Sequence, residues 1–137
     1  MLDNGIVKTS NIEFSSLLIL VRYEDGSERF CIDYRKLNEK AIKDSYPLPR
    51  ISEAIDSIGR DAKFFITLYL VMGYHHVLIT EDDKHKTAFP SQFGLLQYTA
   101  MSFGLTNAPV TLERLMERVL SHINWRDCLV YIDDVLI

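Results

Sequence analysis

The sequence predicts an α+β fold, an antiparallel sheet with helices packed on one face. Three observations point to it. Short apolar runs rich in β-branched and aromatic residues, "LLILVRY" and "AKFFITLYLV", are bounded by turn residues and have the length of strands. One stretch, "TNAPVTLERLMERVLSHI", carries apolar residues at helical spacing. From Lys63 onward the expected order is strand, hairpin, helix, hairpin, which segregates helix from sheet and does not alternate them.

Each element has a local reason. Leu17 to Tyr23 and Arg29 to Tyr34 flank Asp25-Gly26, a β-hairpin with a turn dipeptide. In "KDSYPLPR", Pro47 and Pro49 enforce an extended segment. "ISEAIDSIG" is expected as a short helix, capped by Ser52 and stopped by Gly59. "AKFFITLYLV" is expected as a buried strand. "EDDKHKTAFPSQFGLLQYTAM" is expected as a second hairpin that turns near Gly94. In the long helix, Thr106 or Asn107 is placed to cap and Pro109 suits the first turn. Its expected core face is Leu112, Leu115, Met116, Val119 and Ile123. "CLVYIDDVLI" closes as strand, tight turn at Asp133-Asp134, and strand.

Composition bounds the function classes. At 137 residues, 47% hydrophobic and 25% charged, the chain is one ordinary globular domain or a piece of a larger one. No apolar run reaches the roughly 18 residues of a membrane span. "MLDNGIVKTS" has no signal-peptide pattern, so an intracellular location is expected. Cys31 and Cys128 form no CxxC pair and read as buried thiols in a reducing compartment. His75, His76, His85 and His122 lack zinc-like spacing with cysteine and read as structural or surface residues. The net charge of −4 argues against a nucleic-acid partner. That charge is uneven, because residues 22–50 are net +1 and residues 51–137 net −4. A basic arm facing an acidic pocket and two ordinary solvated surfaces both satisfy the pattern.

The chemistry concentrates at Asp133 and Asp134. Two acids at the tip of a strand–turn–strand hold carboxylates rigidly on a sheet, where hard oxygen ligands suit Mg²⁺. An exposed turn is the plain alternative, since Asp is a common turn residue.

The frame around those acids narrows the choice. "YIDD" resembles the tyrosine–x–Asp–Asp motif of reverse transcriptases. "RFCIDYRKLNEKAIKDSYPLPRI" resembles the fingers segment of gypsy-type LTR retrotransposon polymerases, "GYHHVLITEDDKHKTAF" the segment after the first catalytic strand, and "FGLTNAP" the start of the motif B helix. The similarity covers nearly the whole chain, in family order. It implies the fingers and palm of an RNA-directed DNA polymerase, fingers-like over 1–60 and palm-like over 61–137. The chain is expected to be truncated after the YIDD hairpin, with thumb, connection and ribonuclease H absent. Implied partners are an RNA or DNA template–primer and a dNTP, with no membrane. The uncovered palm surface is expected to drive association or to leave the isolated chain unstable.

The resemblance also assigns roles. Two Mg²⁺ ions about 3.5–4 Å apart would activate the primer 3′-hydroxyl and carry the triphosphate. Asp133 and Asp134 match the hairpin pair of ligands, with Asp133 the stronger. Arg29 matches the fingers arginine on the incoming phosphates. Tyr74 matches the aromatic beneath the nucleotide sugar, and Leu70, Phe103 and Gly104 complete the nucleotide site. Without the family, Arg29 reads as a surface strand residue, and Tyr74 and Phe103 as core aromatics.

The departures are as informative. The first catalytic strand of the family reads leucine–aspartate–leucine; this chain has Leu68-Tyr69-Leu70. A phenol with a pKa of about 10 does not replace a carboxylate as a Mg²⁺ ligand. Tyr23 stands where a lysine is usual, with Glu24 adding negative charge. Ser102 and Leu17 each stand in place of a proline. The Asp-to-Tyr, Pro-to-Ser and Pro-to-Leu changes each need one base change, as drift in an unselected copy would leave. The expected function is an inactive polymerase fragment. The alternative is a non-enzymatic nucleic-acid- or protein-binding remnant of a retrotransposon polyprotein.

Overall fold

Backbone pairing in the computed structural model, which describes residues 4–22, 24–50, 52, 53, 56 and 63–137, sorts the strands into three small antiparallel sheets. In chain order the first elements are β1 (Val7–Thr9), β2 (Leu17–Arg22), β3 (Glu28–Asp33), α1 (Arg35–Asn38) and β4 (Thr67–Tyr69). After these come α2 (Glu81–Lys84), β5 (Phe89–Ser91), β6 (Gly94–Tyr98), α3 (Ala108–Val119), β7 (Leu129–Tyr131) and β8 (Asp134–Leu136). The chain divides into two compact units, each made of two separate stretches. One is Met1–Lys43 with Tyr74–Ala108; the other is Asp44–Gly73 with Pro109–Ile137.

The first unit holds two hairpins. β2 and β3 pair from Leu17↔Asp33 to Arg22↔Glu28. Their turn forms because the Asp25 carboxylate accepts the Ser27 N–H at 2.9 Å, while Gly26 takes φ +81°. β5 and β6 turn into Gly94, whose φ of +99° suits glycine. β1 adds to the outer edge of β6, with Val7 opposite Tyr98. The core here is Val7, Phe89, Leu96 and Tyr98, with Ile6, Ile32 and Ile79 against it. Tyr34 is buried beside α1, and its hydroxyl donates to the Thr87 carbonyl at 3.0 Å.

The second unit carries the sheet β4-β8-β7 and helix α3. Val130 and Val135 face one another and are buried, as are Leu112 and Met116 of the helix. The proline-rich segment is fixed to α3 by a polar cluster. Asp44 accepts from the Tyr46 N–H at 2.9 Å and from Arg114 at 2.7 Å, the Arg114 guanidinium lies 4.6 Å over the Tyr46 ring, and the Tyr46 hydroxyl donates to Glu117. These two hydrogen bonds hold the Asp44 carboxyl below its ordinary range.

Several expectations need correction. "AKFFITLYLV" yields only three strand residues, and they are exposed. The reason is position: β4 is an edge strand, bonded to β8 on one side, and Phe64, Ile66 and Leu68 lie open among the described residues. The segment "EDDKHKT" is helical, as α2 and a following 3-10 turn, and only the part after it forms the hairpin. The core face of α3 is shorter than its periodicity. Val119 is 64% exposed and Ile123 lies beyond the helix. As expected, Pro109 lies in the first turn of the helix, which starts at Ala108, and the Asn107 amide donates to the Ile42 carbonyl. The last turn is Ile132-Asp133, because Asp134 already pairs with Tyr131 as the first residue of β8. The helix expected over "ISEAIDSIG" falls mostly outside the described residues, of which Ser52, Glu53 and Asp56 are helical. Tyr23 and Gly59 also lie outside them.

The shortened face has a measurable consequence. Leu112→Ala should destabilise the chain by about 2–5 kcal/mol, whereas Val119→Ala should cost less than about 0.5 kcal/mol, both read by denaturant unfolding. Equal costs would contradict the burial pattern of α3.

Candidate active site

Three adjacent strands bring the acidic hairpin and position 69 together. Tyr69 of β4 is directly opposite Asp134 of β8, which is directly opposite Tyr131 of β7. Residues directly opposite one another in antiparallel strands project from the same face. The Tyr69 ring therefore leaves the sheet on the side of Asp134, where the family aspartate is expected. Tyr69 and Asp134 are both exposed, and Asp133 is half-buried.

The turn itself is gripped from several directions. The Leu70 N–H, just past the end of β4, donates to the Asp133 carbonyl at 2.8 Å. On the helix side, Glu113 of α3 is fully buried and its Oε2 accepts the Ile132 N–H. Burial pushes the Glu113 carboxyl above its ordinary range, against the lowering effect of that hydrogen bond. Ile132 takes φ +58°, which is uncommon for any side chain and an outlier for a β-branched one. Gly73 supplies the clearance. A Cβ there would sit 2.9 Å from Leu112 Cδ2, 3.3 Å from Leu70 Cδ2 and 3.5 Å from the Asp133 Cβ.

Three of the residues assigned to nucleotide binding meet in the other unit. The Tyr74 and Phe103 rings form an edge-to-face pair with centroids 4.8 Å apart. Tyr74 is buried and Phe103 is 58% exposed, so the pair presents one aromatic face outward. Gly104 follows at φ +89°, with its Cα side against Tyr34 and the Ile32 carbonyl. Asn38 of α1 pins this loop at both ends: its amide nitrogen donates to the Gly104 carbonyl at 2.7 Å, and its amide oxygen accepts the Thr106 N–H at 2.9 Å. His75 packs into the same cluster, stacked on Tyr98 with Nδ1 2.8 Å from the Met101 carbonyl, a structural role. Arg29 sits in β3 with its backbone opposite Val21. Leu70 belongs with the hairpin unit.

Sequence reasoning missed Glu113, Gly73 and Asn38. A weak signal existed for the first: a glutamate directly follows Leu112 on the apolar side of α3. Nothing in the local sequence marks Asn38, whose partners are 66 and 68 residues away.

The donor set does not fit a complete two-metal centre. Among the described residues, no group of three or more His, Cys, Asp or Glu side chains is arranged to hold a metal ion. At the hairpin the set is two carboxylates and a phenol. No helix among the described residues is long and apolar enough to cross a membrane.

A hairpin bearing adjacent acids, paired with a neighbouring strand on a mixed helix-and-sheet scaffold, agrees with the fold that the resemblance implies. Residues 21–137 match the family described as reverse transcriptase (RNA-dependent DNA polymerase), and the chain belongs to that family. It is 38% identical over its whole length to the Retrovirus-related Pol polyprotein from transposon 297 of Drosophila melanogaster, and 37% identical to that from transposon gypsy of the same organism. These matches support the gypsy-type assignment. The chain spans only 13% and 14% of those relatives. It is also 39% identical, over 81% of its length, to an RNA-directed DNA polymerase homolog of Oenothera berteroana, of which it covers 78%. Among solved structures, foamy viral protease-reverse transcriptase in complex with double-stranded DNA superposes with a TM-score of 0.85 at 24% identity, over 99% of this chain and 24% of that one. The native prototype foamy virus protein gives 0.78 at 25% identity, over 99% of this chain and 18% of that one.

The close approach at Gly73 is testable. Gly73→Ala should destabilise the chain by about 1–3 kcal/mol through overpacking. Combined with Leu112→Ala, it should show a coupling above about 0.5 kcal/mol. Strictly additive effects in denaturant unfolding would mean that the two positions do not touch.

Proposed function

We propose that this chain is the fingers and palm portion of a gypsy-type reverse transcriptase whose nucleotidyl-transfer site is inactive as written. The register Tyr69↔Asp134 carries the proposal. It supports tyrosine standing at the place of the third carboxylate. A hard dication prefers several oxygen ligands, and two carboxylates with a neutral phenol are a poorer set than three carboxylates. Mg²⁺, the family's ion in this reading, would be held weakly by Asp133 and Asp134.

The binding surfaces are less affected. Arg29, Leu70, Tyr74, Phe103 and Gly104 are the proposed nucleotide contacts, with the Tyr74–Phe103 pair as the platform. The Asn38 bonds to the Gly104 loop support that role, because a platform must be rigid before a nucleotide arrives. A template–primer is the proposed macromolecular partner. Two foamy viral neighbours were solved with double-stranded DNA and another with an RNA/DNA hybrid. The loss at position 69 favours a second function, a non-enzymatic binding remnant that keeps these surfaces without the chemistry. Exposed Phe64, Ile66 and Leu68 are the proposed surface through which the palm segment associates.

Calorimetric titration with Mg²⁺ tests the metal account. Tyr69→Asp should bind on the order of tenfold more tightly than the chain as it stands, since each tenfold is about 1.4 kcal/mol. Equal affinities would show that position 69 is not a ligand position. In parallel, primer–template should bind with an affinity that falls as salt rises. No binding at low salt would reject the retained-surface reading.

A further inference from the structure

Among the described residues, Glu113 is the one charged side chain with no exposed surface. Burying a carboxyl is costly unless its oxygens are hydrogen-bonded. Here only half of that need is met. Oε2 accepts the Ile132 N–H, and Oε1 is buried without a hydrogen-bond partner. An apolar residue at this place in α3 would avoid the penalty, so the carboxyl must be doing something an apolar side chain does not.

Its one partner shows what that is. Ile132 opens the two-residue turn with φ +58°. That left-handed conformation is easy for glycine and strained for an isoleucine. A strained residue persists only when its surroundings over-determine it. The next residue is Asp133, whose carbonyl is held from the other side by the Leu70 N–H at 2.8 Å. Two bonds, one from α3 and one from just past β4, thus bracket the peptide between residues 132 and 133. The Ile132 bond is the one that restrains the strained residue itself.

We propose that Glu113 is a positioning residue for the two-acid turn: by accepting the Ile132 N–H it holds isoleucine in a left-handed conformation and so fixes the direction in which Asp133 leaves the sheet. The inference concerns the shape of the turn, and it holds whether or not the acid pair still binds a metal. A glutamine at position 113 would preserve the acceptor and remove the charge. A methionine would preserve the volume and remove the acceptor.

Amide hydrogen exchange followed residue by residue decides the matter. In Glu113→Gln the Ile132 amide should stay as protected as in the unmodified chain. In Glu113→Met it should exchange about tenfold faster or more, as loss of one buried hydrogen bond implies, while the β1–β6 amides are unchanged. In an Ile132→Gly background, where the left-handed turn needs no restraint, Glu113→Met should accelerate exchange at position 132 less than it does with isoleucine present. If Glu113→Met does not fold, the double variant should fold. The proposal is overturned if Glu113→Met leaves the Ile132 amide protected, if Glu113→Gln loses protection as fully as Glu113→Met, if the glycine background makes no difference, or if the double variant also fails to fold.

Discussion

The pairing of β8 with two partners at once is the constraint on which the site depends. One three-residue strand, Asp134–Leu136, bonds to β4 on one side and to β7 on the other. That double pairing sets Tyr69, Asp134 and Tyr131 in one row on one face. A slip of one residue would turn every one of these side chains to the opposite face. The hairpin loop, the Leu70 bond to Asp133, the clearance at Gly73 and the Glu113 contact all serve to keep that row where it is. The two-acid turn is therefore held in a fixed register with Tyr69, the position at which the proposed reading places a third acid.

Much of this was legible in the sequence, for identifiable reasons. The β2–β3 hairpin was announced by Asp25-Gly26, because the turn chemistry is local and strong. The helix α3 was announced by Leu112 and Met116 at helical spacing. The motif frame around Asp133 and Asp134 carried the family, and the family relationship followed. What failed did so because burial is a property of neighbours. The run "AKFFITLYLV" has strand composition, but its exposure depends on whether another element covers an edge strand. Val119 has the right spacing and the wrong surroundings. The turn was misplaced by one residue because the pairing of Tyr131 with Asp134, and not the acidity of residues 133 and 134, determines where β8 begins.

The site residues divide in the same way. Asp133, Asp134 and Tyr69 were singled out because a motif names them. Glu113 and Gly73 support the acid hairpin in one unit, and Asn38 the Gly104 loop in the other, through contacts far apart in sequence, and no spacing pattern predicts those. Glu113 lies 19 residues from Ile132, and Asn38 lies 66 from Gly104. Supporting residues of this kind hold the geometry whether or not chemistry follows. That is how a chain can keep the reverse-transcriptase fold under the proposed reading, in which the ligand set at its hairpin is incomplete.

Nucleotide addition is the most direct test of the central claim, that Tyr69 disables the site and the surrounding fold does not. The relevant comparison places this chain, and its Tyr69→Asp variant, in a gypsy-type polymerase in exchange for the matching segment, and measures template-directed extension of a primer with Mg²⁺. The account predicts no extension with tyrosine and measurable extension with aspartate. Extension with tyrosine in place that Asp133→Ala abolishes would contradict it.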